Sequence, residues 1–161
     1  VSLADALRLL SLPRELGALS LAVGVCTLRA LAARGARGLQ LKWPNDVVTQ
    51  TGKAGGILID LRAESGGPAH VVIGVGLNLR LDAALRDAVA QTGNVAADLA
   101  TAGVAPADRN AIAAALLGEY LRGVASFARE GFAPFAAEWR TADALRDRPV
   151  RVAGAAGTQS G

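Results

Sequence analysis

The apolar residues change period twice along this chain, and those two changes confine its fold more than any other feature. Over residues 14–33 apolar side chains fall on nearly every face of a helical wheel. Pro13 lies near the start and Gly35 just after the end, which predicts a helix buried on most sides. From residue 39 the period drops to two, because Leu39, Leu41 and Trp43 alternate with Gln40 and Lys42 as in a half-buried strand. Pro44 denies a ladder donor and pushes Trp43 towards extended geometry; Asn45 and Asp46 favour a turn, and Val47 and Val48 resume a strand. A tight polar turn is expected at residues 49–52 and a strand at 55–61. Beyond a loop at 64–68, a third β run is expected at 70–79, broken by Gly74 and Gly76. Glycines inside a strand mark bulges or close approach by a backbone or ligand. The helical period then returns with Ile112, Leu116, Tyr120, Val124 and Phe127, after Pro106 and Asp108, and a shorter helix is expected over 132–139. Residues 1–12 fit strand or helix equally. This order predicts an α+β fold, with a mixed or antiparallel sheet packed against helices.

Composition narrows the class further. With 161 residues, 52% hydrophobic and 19% charged, the chain suits one domain with a real core and is too apolar for disorder. Only 4% is aromatic, and Tyr120, Phe127, Phe132, Phe135 and Trp139 all lie between residues 120 and 139, so the rest of the core must be aliphatic. A single cysteine, Cys26, excludes an internal disulfide, suits a reducing compartment and reads as a small buried hydrophobe. The longest apolar stretch, residues 16–28, is too short to span a bilayer, so a cytoplasmic location with no membrane partner is expected. There is no methionine, and the chain opens inside an apolar phrase at Val1, so it is expected to be a piece of a longer protein. The net charge of +3 is spread out, with no basic run interleaved with aromatics to suggest nucleic-acid binding. Within that charge one bias stands out: of 17 basic residues only Lys42 and Lys53 are lysine. In so arginine-rich a chain, two lysines point to positions that need a compact ammonium.

Most standard sites are excluded. Gly52-Lys53 is followed by Ala54 and lacks the glycine of a phosphate loop; Gly74-Val75-Gly76 lacks the third glycine of a dinucleotide fingerprint. One histidine and one cysteine make no usual zinc site, and His70 reads as a strand-edge residue rather than a general base. What remains is an ordered cluster: KWPNDVV from Lys42, GKAGGILID from Gly52 and IGVGLNL from Ile73.

That cluster resembles the catalytic domain of biotin protein ligases, which carry KWPND, then GK-x-x-GIL with an acidic residue, then G-x-G-[IL]-N. The resemblance runs to about Trp139 and implies two regions: residues 1–146 as a catalytic domain lacking its N-terminal biotin-loop portion, and residues 147–161 as the start of a truncated SH3-like domain, with only its first strand. The family's Gly-Arg-rich loop and Ser-Thr-Asn biotin contact have no counterpart here, and Asp60 stands where glutamate is frequent. The implied reaction joins biotin to ATP as biotinyl-5′-AMP, then transfers biotin to a lysine of a biotin carboxyl carrier domain. Lys53 matches the catalytic lysine, expected on a turn between two β segments and facing a hollow bordered by Asn45, Asp46 and Gly74. Asn45 and Asp46 are expected on the nucleotide side, Asp46 as a partner for Mg2+ held mainly by phosphate, or else as an Asx turn. Trp43 either walls the pocket or packs in the core. Gly55, Gly56 and Gly74 would let ligand approach, and Asn78 would contact adenine or ribose. Lys42 is secondary. A homodimer is allowed, and no DNA-binding region is present in the sequence. Two rival readings are a lipoate-protein ligase and an inactive nucleotide-binding or dimerising scaffold.

Overall fold

A computed structural model of the chain describes residues 2–9, 16–63, 69–105, 108–154 and 157–161. Its main sheet is built from β1 (Ser2–Leu9), β2 (Gln40–Lys42), β3 (Asp46–Val48), β4 (Lys53–Ala63) and β5 (Ala69–Leu77). The spatial order is β1-β5-β4-β3-β2, antiparallel at every pairing. The ambiguous N-terminal residues are therefore a strand. Their partner decides it: Ser2 lies opposite Gly76 and Leu9 opposite Ala69, a pairing no local period reveals. The same pairing places His70 between β1 and β4, opposite Arg8 and Arg62, so it lies on an inner strand and not at a sheet edge. Pro13, Pro106 and the loop at 64–68 fall outside the described residues.

The sheet has one covered face and one open face. Leu41, Val47, Ile57, Val71, Ile73, Val75 and Leu77 point to the covered side and are buried. Against that side lies α1 (Leu19–Ala32), entered through a 3-10 turn at Leu16–Ala18, with α3 (Arg109–Glu130) packed beyond it. Because α1 is enclosed by sheet and helix, it needs apolar residues all round. On its sheet side a Cβ at Gly24 would meet both Leu41 methyls at 3.1 Å. Elsewhere on α1 the Thr27 hydroxyl bonds the Tyr120 hydroxyl of α3 at 2.8 Å. The stripe Ile112, Leu116, Tyr120, Val124 and Phe127 is buried throughout, as its spacing predicts. At 22 residues α3 is long and apolar enough to cross a bilayer, yet this stripe packs into the core.

Cys26 is buried, as expected, and burial pushes its thiol up to about 11, so it stays protonated at neutral pH. A Cβ on Gly123 of α3 would stand 2.3 Å from its sulfur. Gly123→Ala should therefore cost roughly 1–3 kcal/mol by overpacking, measured by urea denaturation. Adding Cys26→Ala should return much of that loss, a coupling that two independent sites would not show.

The expected short helix is α4 (Ala136–Ala142), preceded by a 3-10 turn at Ala133–Phe135. Arg29 of α1 grips Glu138 with both ends of its guanidinium, at 2.8 and 2.5 Å, and lies 5.5 Å over the Phe135 ring. The bond to Arg29 holds the Glu138 carboxyl below the usual range. Between β5 and α3 come α2 (Ala83–Ala90), capped by the Asp82 side chain on the Leu85 amide, and a strap at residues 94–104. At the C-terminus the expected single strand is instead a hairpin, β6 (Arg151–Gly154) with β7 (Gly157–Ser160). Thr158, Gln159 and Ser160 are all polar and exposed, so no alternation signals β7; Gly157, at φ 114°, supplies the left-handed turn geometry.

Candidate functional site

Glycines floor the open face of the sheet. Register aligns Lys42, Asp46, Gly56 and Gly76 as one row across β2, β3, β4 and β5, and Leu58 with Gly74 in the next row. A Cβ at Gly76 would meet nothing within 4 Å, so the space above it is empty. Leu58 stands up from this floor and is 68% exposed, in the middle of a sheet where a leucine of that exposure needs a reason. With Asn45, Gly56, Gly74 and Gly76 it lines a shallow, mostly apolar depression of about 340 Å³.

Beside it runs a larger, open cleft of about 1440 Å³, lined about equally by polar and apolar surface. Lys42, Asp46, Lys53, Gly56, Gly76 and Asn78 line one part, the turn at 49–52 and the strap from Gly93 to Ala96 another, and Ala144, Leu145 and Arg148 its far end. Gly56 and Gly76 border both hollows.

Lys53 is the first residue of β4 rather than a turn residue. Val48 pairs with Lys53 while Val47 pairs with Gly55, so Ala54 is the extra residue of a bulge. The bulge buries Ala54 and turns Lys53 to the cleft side. Both backbone groups of Lys53 are bound to the strap, its amide to Val95 O at 2.9 Å and its carbonyl to the Ala97 amide at 2.8 Å. Its Nζ lies 2.5 Å from Asp46 Oδ1 and would be 3.4 Å from a Cβ at Gly56. The ammonium thus sits over the glycine floor, in a hollow bordered by Asp46, Gly56 and Gly76. Asn45 and Gly74, expected to border that hollow, line the adjoining apolar depression instead.

Other expected site residues take different duties. Asn45 Nδ2 donates to the Ile57 carbonyl at 2.8 Å, and Ile57 N donates back to Asn45 O, so this side chain clamps the β2–β3 connection to β4. Asn78 Nδ2 donates to the Ala97 carbonyl at 3.0 Å and fastens the strap. Its Nδ2 also donates to the Lys53 carbonyl at 3.4 Å. Trp43 neither packs in the core nor walls either hollow: it lies just past the end of β2 and is 50% exposed. Gly55 lines the cleft through its backbone, but its missing Cβ is a packing necessity, since one would fall 2.5 Å from Gly76 O. Asp46 Oδ1 pairs with the Lys53 ammonium, and among the described residues no three histidine, cysteine or carboxylate side chains cluster.

Sequence reasoning missed Gly76, Leu58, Asp98 and Arg148. The G-x-G spacing held the signal for Gly76; the others depend on contacts distant in sequence. Asp98, buried to 1% exposure, accepts from the Leu81 amide at 2.8 Å, the Thr101 amide at 3.0 Å and Arg86 at 2.5 Å. Burial pushes this carboxyl up, but those amides and Arg86 outweigh it and hold it below the ordinary range. It is the anchor of the strap that carries Lys53.

Residues 4–141 match the model of the biotin/lipoate A/B protein ligase family. The bifunctional ligase/repressor BirA of Escherichia coli K12 is 35% identical over 134 residues, 83% of this chain and 40% of that protein. The biotin–[acetyl-CoA-carboxylase] ligase of Mycobacterium tuberculosis is 42% identical over 106 residues, 64% of this chain and 36% of that protein. The chain therefore spans about 40% of the length of these curated relatives or less. Among solved structures, the apo biotin protein ligase of Aquifex aeolicus superposes with a TM-score of 0.77 at 22% identity, over 99% of this chain and 68% of that one. The same enzyme in complex with biotin and ATP gives 0.74 at 21% identity, over 99% and 65%. These likenesses establish the fold.

Proposed function

The chain belongs to the biotin/lipoate A/B protein ligase family, and on that premise we propose that it carries out ATP-dependent attachment of biotin to a lysine of a carboxyl carrier domain, by way of biotinyl-5′-AMP. The observation that carries this reading is the Lys53 ammonium, held over a glycine floor where an apolar depression meets a wider cleft of mixed lining. The depression at Leu58, Gly74 and Gly76 suits the thioether ring and aliphatic chain of biotin, which are apolar. The cleft suits the nucleotide. Lys53 stands between them, where carboxylate and α-phosphate must meet.

In the first step a biotin carboxylate oxygen attacks the α-phosphorus, the bond from that phosphorus to the bridging oxygen breaks, and pyrophosphate leaves. In the second, the carrier amine attacks the acyl carbon, the bond to the AMP oxygen breaks, AMP departs and the amine loses a proton. Both steps crowd negative oxygens together, and a fixed ammonium with three donors lowers that cost. Asp46 orients the ammonium before substrate arrives. Mg2+ would be held mainly by the phosphate oxygens, with Asp46 as its partner on the chain. Residues 1–146 would form the catalytic domain and 147–161, with the β6–β7 hairpin, the start of a second; the setting would be cytoplasmic.

The test is biotin-dependent exchange of labelled pyrophosphate into ATP by this chain. Exchange with biotin and not with lipoate supports the proposal, and exchange with lipoate alone would move it to the lipoate branch. ATP binding with no exchange would favour an inactive scaffold. Gly76→Val offers a sharper check on the depression. Its new side chain enters empty space, so thermal stability should hold, yet biotin affinity should fall about 10–100-fold through overpacking of the ligand site.

A further inference from the structure

α3 is apolar on two sides, and the core uses one of them. The helix is apolar enough to cross a bilayer, yet only 33% of that stretch is buried. Opposite its buried stripe run Ala111, Ala114, Gly118, Leu121, Ala125 and Ala128, confined to an arc of roughly 100° around the axis. Ala111 and Gly118 are half-buried; the other four are exposed, Leu121 to 54%, and the exposed Leu117 flanks them. Their spacing is 3, 4, 3, 4 and 3 residues. Alternating threes and fours make the contact line of a coiled coil. This series also reads the same in both directions, and a two-fold pair requires a surface that is its own complement. Laid antiparallel about the point between Glu119 and Tyr120, the helix sets Ala111 against the partner's Ala128 and Ala114 against the partner's Ala125. Leu121 then meets the partner's Gly118, a notch overhung only by the flexible, exposed end of Arg122, 3.6 Å from where a Cβ would stand.

We propose that this face of α3 is a self-association surface, through which two copies of the chain pair as antiparallel helices. Charge agrees with the register. On the flanking positions of such a pair Arg129 falls beside the partner's Asp108 at both ends, and Arg122 beside the partner's Ala115, so no like charges meet. Within the chain Asp108 pairs with Arg34 and Arg129 with Glu130, and all four side chains are partly exposed. The cross-pair therefore extends them into a row of alternating sign. Antiparallel packing also opposes the two helix dipoles. A lipid surface is the other cover for an apolar helix face, but it favours free basic residues on the margins. Here Arg122 and Arg129 are each tied to a glutamate. With 22 residues the helix is about 33 Å long, so two copies cover on the order of 1,000 Å² in total, enough for a weak, reversible dimer. Because α3 lies on the covered side of the sheet, both clefts stay open, and the pairing does not depend on the reaction assigned to them.

Sedimentation equilibrium of the chain should show monomer and dimer in exchange, with a Kd on the order of 10–100 μM. Leu121→Glu should raise that Kd at least about tenfold and leave thermal melting unchanged, because its side chain stands in solvent in the monomer. Leu85→Glu makes the same change at an equally exposed leucine of α2 and should dimerise as the wild type does. Arg129→Gln should weaken the dimer about 2–10-fold and flatten its salt dependence. Orientation is read by cross-linking, with which the buried Cys26 does not compete. An Ala114→Cys chain mixed with an Ala125→Cys chain should form the mixed disulfide, and neither variant alone should form much. The proposal is overturned by a wild type that stays monomeric up to about 1 mM, by Leu121→Glu dimerising normally, or by an equal loss in Leu85→Glu. Cross-links within each variant alone would overturn the antiparallel register. Flotation of monomeric chain with phosphatidylserine vesicles, abolished by Leu121→Glu, would assign the face to lipid instead and overturn it as well.

Discussion

Lys53→Ala is expected to slow biotin-dependent pyrophosphate exchange by about 10²–10³ while the chain stays folded. The fold should survive because what Lys53 contributes to it is backbone: the amide and carbonyl bonds to Val95 and Ala97 persist with any side chain. The side chain is about half exposed, with its ammonium on Asp46 and over Gly56, so little buried contact is lost. The rate should fall because Lys42, the other ammonium lining the cleft, stands two strands away on β2, and a water in place of Lys53 cannot be aimed without cost. Lys53→Arg should recover part of the rate and not all of it, since a planar fork cannot turn between carboxylate and phosphate oxygens as an ammonium does. An alanine variant with near-normal exchange would remove Lys53 from the chemistry and with it the main support for the proposed reaction.

Asp98→Ala should produce the largest loss of stability, about 2–4 kcal/mol, because it deprives two part-buried amides and an arginine of their shared acceptor. The loss should also reach the site, since Asp98 anchors the strap whose backbone holds Lys53. Reduced exchange should therefore accompany reduced stability, although Asp98 does not line the cleft. The pH dependence has a definite sign. The folded-state carboxyl is depressed, so its contribution is complete above the unfolded value and is lost as pH falls through the folded one. Denaturation of wild type and Asp98→Asn should thus differ most near neutral pH, and the gap should narrow once pH drops below about 4. A gap that stays constant down to strongly acidic pH would show that the charge of Asp98 is not what stabilises the strap.

Local periods were enough to read α1, the strands around Pro44 and the buried stripe of α3, because each reports which side of a single element meets the core. The order of KWPND, GK and G-x-G was enough to identify the family and to single out Lys53. Side-chain direction was harder. Gly55 and Gly56 look equivalent in sequence, yet the pairing of β4 with β5 turns one into the sheet packing and the other to the open face. Asn45 and Asn78 read as ligand contacts, but their donors meet carbonyls that only the folded chain supplies.

What the residues alone determined, then, was the kind of elements, their order and the charge chosen at Lys42 and Lys53, since these depend on neighbours a few positions away. The tertiary structure decided which of those side chains share a cavity. Residues 46, 53, 76 and 148 come to one cleft through strand register, a one-residue bulge at Ala54 and a strap held by the buried Asp98 carboxylate. Shifting that register by a single residue would turn every side chain of a strand to the other face, and nothing within a short window of sequence encodes which register the rest of the chain will impose.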